Sequence, residues 1–67
     1  MSMARRDYVL ISRVINRAIM REARLHNGIA VLALDGLAHD LAKAIGEVNG
    51  GFDTDKFLAA CGIEPPE

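Results

Sequence analysis

One cysteine, Cys61, and two histidines, His26 and His39, leave this chain without the usual braces of a very small protein. A lone cysteine permits no intrachain disulfide, and the three residues together match no zinc-binding spacing. A domain of this size, 67 residues, buries only roughly 60% of the surface that its unfolded form exposes. Below about 70–80 residues, a single core rarely supplies more than about 3–5 kcal/mol. Yet 51% of the residues are hydrophobic, and of these only Tyr8, Phe52 and Phe57 are aromatic. The rest is mostly Ile, Leu, Val and Ala, which suits helix packing. Two or three short helices of this composition carry more apolar surface than one copy can hide. The expected brace is therefore a second copy of the chain, and the expected assembly is a homo-oligomer.

The apolar run at 29–34 is far too short to span a bilayer, which excludes a membrane-embedded protein. The N-terminus shows no secretion signal: Arg5 and Arg6 are followed by Asp7 and more arginines, not by an apolar stretch and a cleavage site. A cytoplasmic protein with a reduced thiol is expected.

The net charge of −1 hides a strong asymmetry. Residues 1–28 hold six arginines against Asp7 and Glu22, a balance of +4. Residues 29–67 hold Lys43 and Lys56 against seven carboxylates, a balance of −5. The two halves of the chain are electrostatic opposites.

The periodicity predicts an all-α fold: two long antiparallel helices and a short C-terminal one, forming a single domain over 1–67 with 63–67 as a tail. The first helix is expected over 5–26, with Tyr8, Ile11, Val14, Ile15, Ala18, Ile19 and Leu25 on one broad face. His26-Asn27-Gly28 ends it, because Asn and Gly tolerate a left-handed cap. The second is expected over 29–48, with Leu34, Leu37, Ala38, Leu41, Ile45 and Val48 as its stripe and Asn49-Gly50-Gly51 as its stop. The start of that segment, 29–34 before Asp35-Gly36, also fits a short strand and turn. Ala30, Ala33 and the periodicity running on to Leu41 favour helix. The third helix is the best marked. Asp53 is a cap, Phe52 can staple onto Phe57, Asp55 suits the positive helix end, and Gly62 stops it. Pro65-Pro66 forbids continuation.

Several constellations invite a functional reading. Arg13, Arg17, Arg21 and Arg24 recur at helical spacing, with Arg6 in line, and arginine grips phosphates and carboxylates through a planar fork. The stripe fits a phosphate-bearing ligand, an acidic partner or a plain solvated face. Val9 and Met20 on the first helix, and Ile29 and Leu32 on the second, fall away from the main stripes and read as an interface with another chain. Either that, or the third helix covers them. Glu22 sits inside the apolar face of the first helix, where it could pair with His26 or an arginine, or lie in water at a frayed end. Asp35, His39 and Lys43 are one turn apart, which ordinary helical pairing explains without a metal.

Cys61 has no histidine beside it and reads as a small core residue. Gly50-Gly51 before Phe52-Asp53 is a linker and cap, not a phosphate-binding loop. No nucleophile–base pair can be assembled from neighbouring residues, so no enzyme, metal or cofactor is expected. A helix-turn-helix regulator is a weaker reading. Its recognition helix would begin at Asp53 and Asp55, the wrong charge for phosphates, and the balance of the whole chain is acidic where nucleic-acid binders are basic.

Two stretches, Arg5-Arg6-Asp7-Tyr8-Val9-Leu10-Ile11 and Phe52-Asp53-Thr54-Asp55-Lys56-Phe57-Leu58-Ala59-Ala60-Cys61-Gly62, resemble short accessory proteins of tailed phages and prophages. In that group a Leu- and Ala-rich helix lies between them, similar to 36–49 here, so the resemblance covers about half the chain. A hydroxyl residue usually caps the first helix in the group. Ala4 stands there in this chain, and Ser2 is the nearest substitute. The resemblance implies a phage origin and a bacterial host cytoplasm, and assigns no activity or functional residue. The expectation from residues and resemblance together is a protein-interaction module acting as an oligomer, on itself or on a host or phage protein. A binder or sponge for a small phosphate-bearing ligand is its rival.

Overall fold

The computed structural model describes residues 4–63, and within them the chain is three helices: α1 (Arg5–Arg24), α2 (Gly28–Val48) and α3 (Thr54–Ala60). The segment at 29–34 is helical, so the strand reading falls. None of these helices is long and apolar enough to cross a membrane. The Ser2 cap and Pro65-Pro66 lie outside the described residues.

Local chemistry explains each helix end. At the start of α1 the Ala4 N–H donates to the Asp7 carboxylate (2.9 Å), so a side chain one turn on does the work of the missing hydroxyl. The far end stops two residues earlier than the sequence suggests. The left-handed residue is His26 (φ 55°), not Asn27 or Gly28. Asn27 is instead the cap of α2, its side-chain oxygen accepting from the Ala30 N–H (3.2 Å). Glu22 accepts from the Asn27 amide and the Arg21 guanidinium (both 3.1 Å), which ties the end of α1 to the start of α2. It neither pairs with His26 nor stands free in water.

The third helix is built as its sequence advertises. Asp53 accepts from the Lys56 N–H (3.1 Å), and Phe52 packs on Phe57 with ring centroids 5.4 Å apart. Past Cys61, the Gly62 N–H donates to the Ala59 carbonyl (3.0 Å) and the Ile63 N–H to the Leu58 carbonyl (2.9 Å). These two bonds form a Schellman motif, which needs a left-handed residue at Gly62, whose φ is 86°. Ile63 then folds back onto the core, so packing continues one residue into the expected tail. A Cβ on Gly62 would lie 2.5 Å from the Asn16 side-chain nitrogen, which donates to the Cys61 carbonyl (3.1 Å). Gly62→Ala should therefore combine backbone strain with a broken clamp, lowering stability by about 1–3 kcal/mol. Urea unfolding followed by circular dichroism would read this as a lower midpoint with an unchanged slope.

The helices α1 and α2 run antiparallel. Tyr8 and Asn49 share a hydrogen bond at one end (3.1 Å), and Glu22 and Asn27 at the other. Their contact combines buried Ile15 and Ile45 with small residues. Ala38 and Ala42 are buried on α2, and Ser12 is buried on α1, its hydroxyl donating to the Val9 carbonyl (2.8 Å). Ile15, Phe57, Leu58 and Cys61 complete the core cluster, and Tyr8 leans edge-on against Phe52 (4.8 Å). The core sits where α3 crosses the hairpin. Four residues expected on the buried stripes, Val14, Leu25, Leu37 and Val48, are exposed. Each stripe is wider than its single neighbouring helix can cover.

Candidate interaction surface

The short α3 lies on one side of the α1–α2 hairpin. Asn16 of α1 holds the Cys61 carbonyl, and a Cβ on Gly46 of α2 would touch Thr54 (3.6 Å), so these two residues mark the covered side. At 3.6 residues per turn, rotating each helix the other way from its buried line reaches a second side. It carries Ile11, Val14, Ala18 and Leu25 from α1, and Leu34, Leu37, Leu41 and Val48 from α2. Ile11, Ala18, Leu34 and Leu41 are half-buried at its centre. Val14 is 55% exposed, Leu37 53% and Val48 87%. Arg21, two turns along α1 from Val14, borders it at one end with its guanidinium turned onto Glu22. Its two carboxylates are already engaged: Asp7 with the Ala4 N–H, and Glu22 with Asn27 and Arg21.

The four residues singled out from sequence as an interface are all exposed. Ile29 (84%) and Leu32 (72%) stand on the outer side of α2, and Val9 and Met20 flank α1. They do not join into one patch. Val9 forms part of the wall of a half-open cleft of about 480 Å³ between α1 and α3, with Arg5, Tyr8, Asn49 and Lys56 around it. Ile29 and Leu32 lie at the opposite end of the molecule, beside the α1–α2 turn. Sequence alone does not separate this larger apolar surface from the core, because periodicity puts Val14, Leu25, Leu37 and Val48 on the same stripes as Ile15, Ala38 and Ile45. The signal that could have found it is the width of the stripes.

The arginine stripe is a real helix face: Arg13, Arg17, Arg21 and Arg24 are all exposed. It is not a built pocket. Arg13 shares a shallow groove with Arg5, Arg6 and Leu10, whereas Arg17, Arg21 and Arg24 do not reach it. Arg21 is turned onto Glu22. Among the described residues, no buried side-chain nitrogen or oxygen lacks a partner, so no polar group is held in waiting for a ligand. His39 lies 3.4 Å from Asp35, as one-turn pairing requires, and no group of three metal-ligating side chains occurs among the described residues. The Cys61 thiol is buried, and desolvation pushes its pKa up, so it stays protonated at neutral pH.

Compared with known proteins, the chain matches no family model, no curated sequence and no solved structure. Its surface chemistry must carry the functional reading.

Proposed function

We propose that this chain is a protein-interaction module that works as an oligomer. Phage origin and a bacterial host cytoplasm remain the setting suggested by the motifs at 5–11 and 52–62. The observation that carries the reading is an inverted balance of apolar side chains. Among the described residues nine large hydrophobic residues are exposed, while seven apolar residues are buried. Soluble monomers rarely leave contiguous apolar patches larger than a few hundred Å² open to water. A surface of this kind on so thin a core is stabilised when another protein covers it. The reading is not enzymatic: the one thiol is buried and protonated, and the exposed polar groups are scattered along helix faces. A phosphate-bearing ligand has the Arg5, Arg6 and Arg13 groove in its favour. That groove is shallow and lacks a buried polar anchor, so the apolar surface outweighs it.

Size-exclusion chromatography with light scattering, at low micromolar concentration, tests the reading. The expected mass is at least twice that of one chain. A compact monomer with cooperative unfolding would overturn it.

A further inference from the structure

Resting on that reading, we infer that the occupant of the hairpin side opposite α3 is a second copy of the same chain. The two copies pair about a twofold axis parallel to the helices and form a four-helix bundle. Two observations argue for self-pairing, and a third fixes its geometry.

The first is shape. The described chain is a slab with extents of 36 × 24 × 16 Å, and α3 thickens only one side of it. The bare side is a strip about 30 Å long and about 20 Å wide, from helices of 20 and 21 residues packed side by side. That is on the order of 600 Å² per copy, so a pair reaches the roughly 1,200 Å² where stable interfaces begin. The second is chemistry. Val14, Ala18, Leu25, Leu37, Leu41 and Val48 present the mixed Leu, Val and Ala surface of a bundle core, and the bordering Arg21 is neutralised by Glu22.

The third is charge. One long edge of the strip is α1, whose outer face carries the arginines. The other edge is α2, whose outer face carries Asp40 and Glu47. A twofold perpendicular to the helices would lay α1 on its own counterpart and oppose arginine to arginine. A twofold parallel to them lays α1 on the α2 of the second copy, antiparallel, and preserves the height of every residue. Tyr8 faces Asn49 within one chain, and Glu22 faces Asn27. At the same heights, Arg17 of one copy comes within about a turn of Asp40 in the other, and Arg6 within about a turn of Glu47. Only this pairing joins the +4 half of one chain to the −5 half of the next.

Light scattering and sedimentation on variants of the full chain test the arrangement. Leu37 is half exposed, so Leu37→Glu leaves the single copy folded by circular dichroism and should weaken the dimer at least about 100-fold. Leu32→Glu, on the far side of α2, should leave the dimer within about threefold of the parent. The charge pair gives a readout that misfolding cannot mimic. Arg6→Glu with Arg17→Glu, and separately Asp40→Arg with Glu47→Arg, should each weaken self-association at least about tenfold, and mixing the two variants should restore it. A dimer that survives Leu37→Glu, or fails with Leu32→Glu, overturns this inference and leaves the oligomer reading intact. Charge variants that dimerise as well as the parent overturn it too, because that outcome places α1 on α1. A parent chain that is monomeric, its bare side reserved for a different protein, overturns the inference and the oligomeric reading together.

Discussion

Phe57→Ala should lower the melting temperature by more than about 15 °C and come close to abolishing cooperative unfolding at room temperature. Phe57 is buried at the centre of the core cluster, and its ring is the last of three in contact, Tyr8 to Phe52 to Phe57. Truncating a buried phenylalanine costs about 3–5 kcal/mol, from lost transfer energy and the cavity left behind. A core in a chain this short holds about that much in total. Each kcal/mol is worth about 4–8 °C in a domain of 60–100 residues, which sets the scale of the expected drop. Thermal unfolding by circular dichroism reads it directly. A loss of only a few degrees would show that α3 is an accessory to a hairpin that stands by itself.

Ala38→Leu should be the most damaging of the changes that add volume. Ala38 is fully buried, and together with Ala42 and Ser12 it sets how closely α1 and α2 approach. Three extra carbon atoms at such a seam either force the helices apart or drive the side chain off its rotamer, at a cost of about 1–3 kcal/mol or more. Spreading the helices also pulls Asn16 from the Cys61 carbonyl and Tyr8 from Asn49, so the polar clamps weaken along with the packing. Ala59→Leu, on the exposed side of α3, is the matched control and should stay within about 0.5 kcal/mol of the parent. Equal urea midpoints for the two variants would refute the tight-seam account.

The order in which structure becomes legible follows how local its causes are. The third helix can be read from the eleven residues 52–62, because Asp53, the Phe52–Phe57 staple and Gly62 each act on neighbours within a turn or two. The turn between α1 and α2 was harder. Sequence points to Asn27 or Gly28 for the left-handed position, yet His26 takes it because Asn27 is recruited as the cap of α2. Ser12 gave no warning of burial, since its polarity says surface. Only the alanines across from it reveal that the position demands a small side chain. The exposed stripe residues failed for a different reason. Periodicity says that Val14, Leu25, Leu37 and Val48 sit on apolar faces, but not whether the neighbour they meet belongs to the same chain. The arginine face was legible as a face and silent about what it meets.

Asn16 gives the molecule a sidedness that hydropathy cannot. A bare α1–α2 hairpin offers greasy helix on both flanks, and a short amphipathic segment such as α3 could settle on either. The amide at position 16 has a suitable backbone acceptor only when Cys61 lies on its own flank, and the Tyr8–Phe52 stack sets the approach from the opposite end. Those few polar and aromatic contacts act as a vote on chirality, choosing one of two mirror-related closures. Without them α3 would close on either flank, and the molecule would present two different open sides instead of one.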